Sequence, residues 1–492
     1  MRSLVARGCL RGLFIGALLS GCGPAAADPT GASQLELEPC RVVGVGRPAQ
    51  CGRLAVPENP EQPQGRQVSL KIVVVPATSR SPVSDPMYLL AGGPGQAAIE
   101  VFPPEIAAFR EVNKRRDLVL VDMRGTGSSS PLLCDGVSDA HGDRILADAD
   151  PNDAVECLAA IEADTRQYTT RHAVRDLEAV RGALGHGPIN LLGVSYGTRL
   201  ALEYTRYHPD HVRSLVLDGV APPQMALPES FAVDAQAAFE ALVARCHASP
   251  DCKAAFPDIA GDLRTMQQLL AAGPTTLTVP DPRTGALRSI EVSPRAVVSA
   301  VRASLYATAL VAMLPLALHR AAHGQLPRAL AQFSVLAQST VTSMNGQLLA
   351  SVVCTEDLPR IDAQRLATAS ADSFLGMTTY DVFAETCRVW PRGPLPEHAG
   401  RPVHSEAPAL LLSGALDPVT PPRWAQLAQQ TLPRARHLVV DQVAHGTFRQ
   451  GCMPDLIAEF VDSLEPDAVD ASCLDDIEPA EFFIDFAGPS HR

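Results

Sequence analysis

The sequence predicts an α/β fold built on a mostly parallel sheet, and three observations carry that prediction. Short, continuous apolar runs recur along the chain. Helix patterns lie between some of them. The stretch NLLGVSYGTRLA from Asn190 passes from a strand pattern to a helix pattern across a serine placed between two glycines. The runs are VSLKIVVVPA near Val68, MYLLAG at Met87, DLVLVD at Asp117, INLLGV at Ile189, RSLVLDG at Arg213, PALLLSG at Pro408 and RHLVVD at Arg436. Most are leucine-rich or β-branched without polar alternation, as parallel strands buried on both faces require. Strands that alternate with helices argue for βαβ units.

The helical stretches follow the same logic. HAVRDLEAVRGALG from His172 places Val174, Leu177, Val180, Arg181 and Leu184 on one stripe. TRLALEYTRYHP follows the serine turn and stops at Pro209. The alternation breaks after Pro222 and Pro223. From there to about Pro402 the pattern is mainly helical, with one hairpin candidate, TTLTVPDPRTGALRSIEV. It resumes at Pro408. The chain therefore reads as a core in two parts, residues 40–221 and 403–492, interrupted by a helical insertion, 222–402. The run ASLYATALVAMLPLAL from Ala303 is too short for a membrane span and reads as one buried helix.

Bulk properties narrow the function classes. At 492 residues, the chain exceeds one small domain. With 46% hydrophobic and 19% charged residues, a large core forms and global disorder is excluded. A net charge of −13 with no basic run excludes a nucleic-acid partner, since phosphate binding needs clustered positive charge.

The first 21 residues read as a signal peptide: three arginines without an acid, a short apolar run, then small residues. LSGC, ending at Cys22, is similar to a bacterial lipobox, in which the cysteine is lipidated and becomes the first residue. The competing reading is cleavage after Ala27. Either removes Arg2, Arg7 and Arg11 and lowers the net charge from −13 to −16. The expected location is a bacterial outer membrane, through a lipid on Cys22, or the periplasm or exterior. Membrane contact is expected only through that lipid.

Export implies an oxidising compartment. Ten cysteines remain in the mature chain: Cys40, Cys51, Cys134, Cys157, Cys246, Cys252, Cys354, Cys387, Cys452 and Cys473. Their even number and local grouping predict five bridges between successive cysteines, although spacing alone does not fix connectivity. The last would hold down an acidic tail. No CxxC or HExxH spacing occurs, so neither a metal nor a cofactor is expected.

Strand, Gly193-Val194-Ser195-Tyr196-Gly197, helix is the pattern of a nucleophile elbow. The turn leaves no room for side chains two residues before and after the serine. A serine hydroxyl needs a base, and the base needs an orienting carboxylate, in the chain order Ser, Asp, His. LLLSGALDPVTPP supplies Asp417 after a strand, and HLVVDQVAHGTF supplies His445 after the next. Asp441 is the alternative acid. Asp122 precedes the serine and is read instead as holding the Arg124–Gly127 loop. His172, His186, His208 and His211 are read as surface or capping residues. An oxyanion needs two N–H donors. Tyr196 supplies one, and Gly93 in LLAGGPGQ is the choice for the other.

GGPG, DMRGTGSS, GVSYGT, GALDPVTP and AHGT together resemble the α/β-hydrolase family of proline iminopeptidases, and more closely its secreted tripeptidyl-aminopeptidase-like branch. The resemblance runs from about Cys40 to Cys473. It implies an α/β-hydrolase fold with a large, mainly helical cap between the serine and aspartate segments. It also implies removal of residues from the N-termini of short peptides with a free amine. SVVCTEDLP resembles the cap motif whose acids hold that amine, which points to Glu356 and Asp357. Ala91 departs from the pattern, because many relatives have histidine there, and strict proline specificity does not carry over. Two rivals stand beside this reading: an esterase or lipase on the same scaffold, and a non-catalytic binding protein that kept the fold.

Overall fold

The computed structural model of the protein describes residues 35–134, 151–281, 284–333 and 344–489. The expected signal peptide, Cys22 and the alternative cleavage point after Ala27 lie outside the described residues.

Eleven strands are described: β1 (Glu38–Cys40), β2 (Ala49–Pro57), β3 (Gln67–Val75), β4 (Met87–Leu90), β5 (Leu118–Val121), β6 (Ile189–Val194), β7 (Val212–Asp218), β8 (Thr275–Pro280), β9 (Leu287–Val292), β10 (Ala409–Gly414) and β11 (Ala435–Val440). Nine form one sheet in the order β1-β2-β3-β5-β4-β6-β7-β10-β11. Pairing from β5 through β11 is parallel, while β1, β2 and β3 run antiparallel at one edge. The seven apolar runs are seven of these strands. β1 and β2 were not evident in the sequence, and β8 and β9 are the predicted hairpin.

The sheet is covered on both faces, which is why its central strands are apolar at most positions. On one face Leu191, Leu215, Leu217 and Leu411 pack with Val174, Leu177 and Val180 of α1 (Thr170–Ala183) and Leu200 and Tyr204 of α2 (Tyr196–Tyr207). On the other, Leu192, Val216, Leu410 and Leu412 pack with residues that include Met453, Ile457 and Phe460. Neighbours along one strand thus point into different cores, the period-two geometry of a strand.

Between β7 and β10 the chain builds α3 (Phe231–Ala248), α4 (Ile259–Leu269), α5 (Pro294–Ser304), α6 (Thr308–Arg320) and the β8–β9 hairpin around an apolar cluster of their own. The run from Ala303 is two helices rather than the one expected. The chain turns at Leu305–Ala307, and Ala307 adopts extended backbone (φ −109°, ψ 124°). The Tyr306 carbonyl leaves the helical ladder and accepts the His445 N–H instead, at 3.1 Å.

The disulfides are Cys40–Cys51, Cys134–Cys157, Cys246–Cys252, Cys354–Cys387 and Cys452–Cys473, each joining successive cysteines. Among the described residues, no helix is long and apolar enough to cross a membrane.

Candidate active site

Ser195 sits where β6 gives way to α2, with φ 57° and ψ −124°. A non-glycine residue rarely adopts this region, and such strain persists only where its surroundings impose it. The two flanking glycines are part of those surroundings. A Cβ on Gly193 would lie 2.4 Å from the Gly197 carbonyl oxygen, and one on Gly197 would lie 2.2 Å from the Leu90 carbonyl oxygen. The elbow is wedged against the end of β4, and no side chain fits at either position.

Asp417 and His445 emerge from the loops after β10 and β11. Asp417 Oδ2 lies 2.6 Å from His445 Nδ1. The carboxylate is fully enclosed and also accepts the Val419 and Thr420 N–H groups, both at 2.9 Å, and the Thr420 hydroxyl at 2.8 Å. Burial pushes the Asp417 pKa up, but His445 and these donors outweigh it and the net shift is down. Burial likewise disfavours the His445 imidazolium, yet the charge and hydrogen bond of Asp417, with help from Asp218, raise its pKa above 6.5. An ionised Asp417 accepts from Nδ1–H, which leaves the Nε2 lone pair of a neutral imidazole free to take a proton.

Asp218, at the end of β7, ties the serine to the histidine loop. Its carbonyl accepts the Ser195 N–H at 2.8 Å, and its carboxylate accepts the Thr447 hydroxyl at 2.7 Å and the Phe448 N–H at 2.9 Å. Gly219 follows with φ +62°, and a Cβ there would meet His445 Cε1 at 3.0 Å. The elbow and the imidazole thus flank one dipeptide. Nothing in VLDG distinguished this aspartate from any strand end.

The glycine-rich loop after β4 reaches the elbow at Gly92, whose Cβ would lie 3.0 Å from Ser195 Cβ. Gly93 comes next, with φ +108°. Asp122 accepts from the Ile99 N–H at 2.9 Å and the Ser128 N–H at 3.0 Å, so it holds the loop it was expected to hold. Asp441 is exposed, while Asp417 occupies the imidazole. His172 pairs with Thr169, His186 with Tyr88 and His211 with Glu178, and His208 stacks on His211.

Glu356 and Asp357 have separate partners. Asp357 is completely buried and faces Arg199 at 3.0 and 3.1 Å and Arg360 at 3.3 Å, so its charge is matched. Glu356 has no such match: it accepts the Thr170 N–H and hydroxyl, both at 2.6 Å. Burial, reinforced by Asp357, raises its pKa to about 7 against the pull of Thr170 and Arg199. Thr170 Oγ1 also lies 2.6 Å from the Tyr196 hydroxyl. Threonine has one hydroxyl proton, so with Glu356 ionised the Tyr196 hydroxyl is the donor in that contact. A chain of hydrogen bonds therefore links Glu356 to the residue after the serine. Glu356 and Thr170 line a pocket together with Arg171, Glu203 and His398.

Comparison with known proteins places both halves of the sheet among α/β hydrolases. Residues 85–248 match the family described as alpha/beta hydrolase fold, and residues 372–473 match the family described as TAP-like protein. The chain is 33% identical over 243 residues to the serine protease Hip1 of Mycobacterium tuberculosis, covering 45% of each chain. It is 32% identical over 195 residues to the tripeptidyl aminopeptidase of Streptomyces lividans, covering 36% of each. It is also 33% identical over 256 residues to carboxylesterase B of Mycobacterium tuberculosis, covering 47% of this chain and 49% of that one. The matched stretch spans less than half the length of each relative. One family match falls on the stretch that carries Ser195 and the other on the stretch that carries Asp417 and His445: the chain has the α/β-hydrolase fold.

Proposed function

We propose that the protein is an exported serine hydrolase that releases short, tripeptide-type or single residues from the free N-termini of peptides. The observation that carries this reading is the strained Ser195 elbow beside a buried, hydrogen-bonded Asp417–His445 pair. Ser195 Oγ attacks the scissile carbonyl while its proton passes to His445 Nε2. The oxyanion is held by the N–H groups of Gly93 and Tyr196. Collapse breaks the C–N bond, and His445 returns the proton to the leaving amine. Water then attacks the acyl-enzyme, again through His445, and frees the acid and Ser195. Glu356, buried and without an arginine of its own, accepts the substrate's ammonium group. Asp357 contributes by pairing with Arg199 and Arg360.

The resemblance to the tripeptidyl aminopeptidase favours a peptide substrate. The match to carboxylesterase B favours a second reading, an esterase on the same scaffold, because esters and amides share the acyl-enzyme route. Export is supported by five disulfides and the N-terminal signal pattern. Intact-mass analysis of the native protein tests both export and anchor. A lipid-modified chain starting at Cys22 is the anchored form, and a chain starting at Asp28 refutes the anchor. Covalent labelling by a fluorophosphonate tests the nucleophile. One adduct on Ser195, absent from Ser195→Ala at unchanged thermal stability, is expected. An adduct on another residue would overturn the assignment.

A further inference from the structure

The helical insertion grips the loop that carries His445. The Tyr306 carbonyl, in the turn between α5 and α6, accepts the His445 N–H at 3.1 Å. The Thr308 hydroxyl accepts the Ala444 N–H at 3.2 Å. The Tyr306 ring meets the imidazole edge-on, with centroids 5.2 Å apart and planes at 69°. Leu416 and Ala444, the residues before Asp417 and His445, are buried in the insertion's own apolar cluster with Leu305, Val311 and Leu314. Tyr306 is itself clamped. Its hydroxyl accepts from Arg302 at 2.5 Å, and the Arg302 guanidinium lies 5.1 Å from its ring centre and 4.1 Å from that of Phe231 on α3.

Asp417 at 2.6 Å and the Thr420 hydroxyl at 3.2 Å both meet the imidazole at Nδ1, and contacts at one nitrogen leave the ring free to tilt about it. The aromatic edge of Tyr306 against the ring, with the His445 backbone N–H tied to the Tyr306 carbonyl, removes that freedom. We propose that Tyr306 is a positioning residue for His445, so that the insertion completes the acid–base pair as well as covering the site. This inference rests on the proposed serine hydrolase mechanism. It also gives a reason for the helix break at Tyr306, because a continuous helix would keep that carbonyl in its own ladder.

The test compares native protein, Tyr306→Phe and Tyr306→Ala in kcat, KM and the rate of fluorophosphonate labelling of Ser195. Small misplacements of catalytic groups cost up to about 100-fold. We expect kcat and the labelling rate of Tyr306→Ala to fall together by roughly 10- to 100-fold, with KM changed less than about threefold. Tyr306→Phe keeps the ring edge and carbonyl and should return to near-native rates. If Tyr306→Ala fails to fold, Thr308→Val removes only the acceptor for the Ala444 N–H, and a several-fold drop in kcat at constant KM is expected. Folded variants with native kcat and labelling would overturn the proposal, as would equal losses in Phe and Ala, which would assign the effect to the Arg302 contact. A native enzyme that is not labelled at all would remove the serine mechanism, and this proposal with it.

Discussion

Asp417 and His445 are 28 residues apart in sequence and 2.6 Å apart in the structure. The carboxylate holds the imidazole in one tautomer and raises its pKa above 6.5. Because the base must be neutral to accept the Ser195 proton, kcat at saturating substrate should fall as pH drops through that raised value. Asp417→Asn removes the charge that raises the pKa and the acceptor that selects the tautomer. The acid limb should move to lower pH and kcat should fall by about 10⁴-fold, the scale seen when a serine protease loses this carboxylate. A pH–rate profile for native and variant enzyme checks both. An unmoved acid limb would dissociate Asp417 from the base.

The elbow predicts a stability effect separable from chemistry. Gly197→Ala forces a Cβ to within 2.2 Å of the Leu90 carbonyl oxygen and should cost about 3 kcal/mol or more. Gly187→Ala, where nothing lies within 4 Å, serves as the control and should leave the denaturation midpoint near native. Equal midpoints for the two variants would contradict the packing described for the turn.

Glu356 and Asp357 are adjacent in sequence but should fail differently. Asp357→Asn leaves Arg199 and Arg360 without their shared counter-charge, and breaking a buried pair in this way costs about 3–5 kcal/mol. Glu356→Gln keeps the shape and should instead raise KM for substrates with a free α-amine, with little effect on stability. Since the Glu356 pKa lies at about 7, native KM for such substrates should rise as pH falls below 7, where the carboxyl group gains its proton. Denaturation curves and KM measured from pH 6 to 8 separate the two roles. A KM indifferent to both pH and Glu356→Gln would exclude the amine-binding role.

The contrast between these two acids shows where sequence reading stops. SVVCTEDLP marked both as candidates, but nothing local announces that Arg199, 158 residues away, claims Asp357 and not Glu356. Thr170, which joins Glu356 to Tyr196, is an ordinary first-turn threonine in the sequence. The central strands were legible because burial on both faces leaves each one a continuous apolar word. β2 was not, since AQCGRLAVP lies near the sheet edge and mixes buried with exposed residues. The break at Tyr306 was hidden because apolar residues continue through it. It follows from a partner, the His445 N–H, that lies far along the chain. The catalytic candidates themselves were readable because each stands at the end of an apolar strand, where the chemistry requires its residue type.

The most direct test of the account is hydrolysis of a matched panel: Ala-Ala-Pro and Pro amides of a fluorogenic amine, each with free and acetylated N-terminus, beside a short acyl ester. The account predicts cleavage of free N-terminal amides, the tripeptide amide above all, loss of that cleavage on acetylation and its absence in Ser195→Ala. Cleavage of the ester alone, or of acetylated and free amides equally, would contradict it.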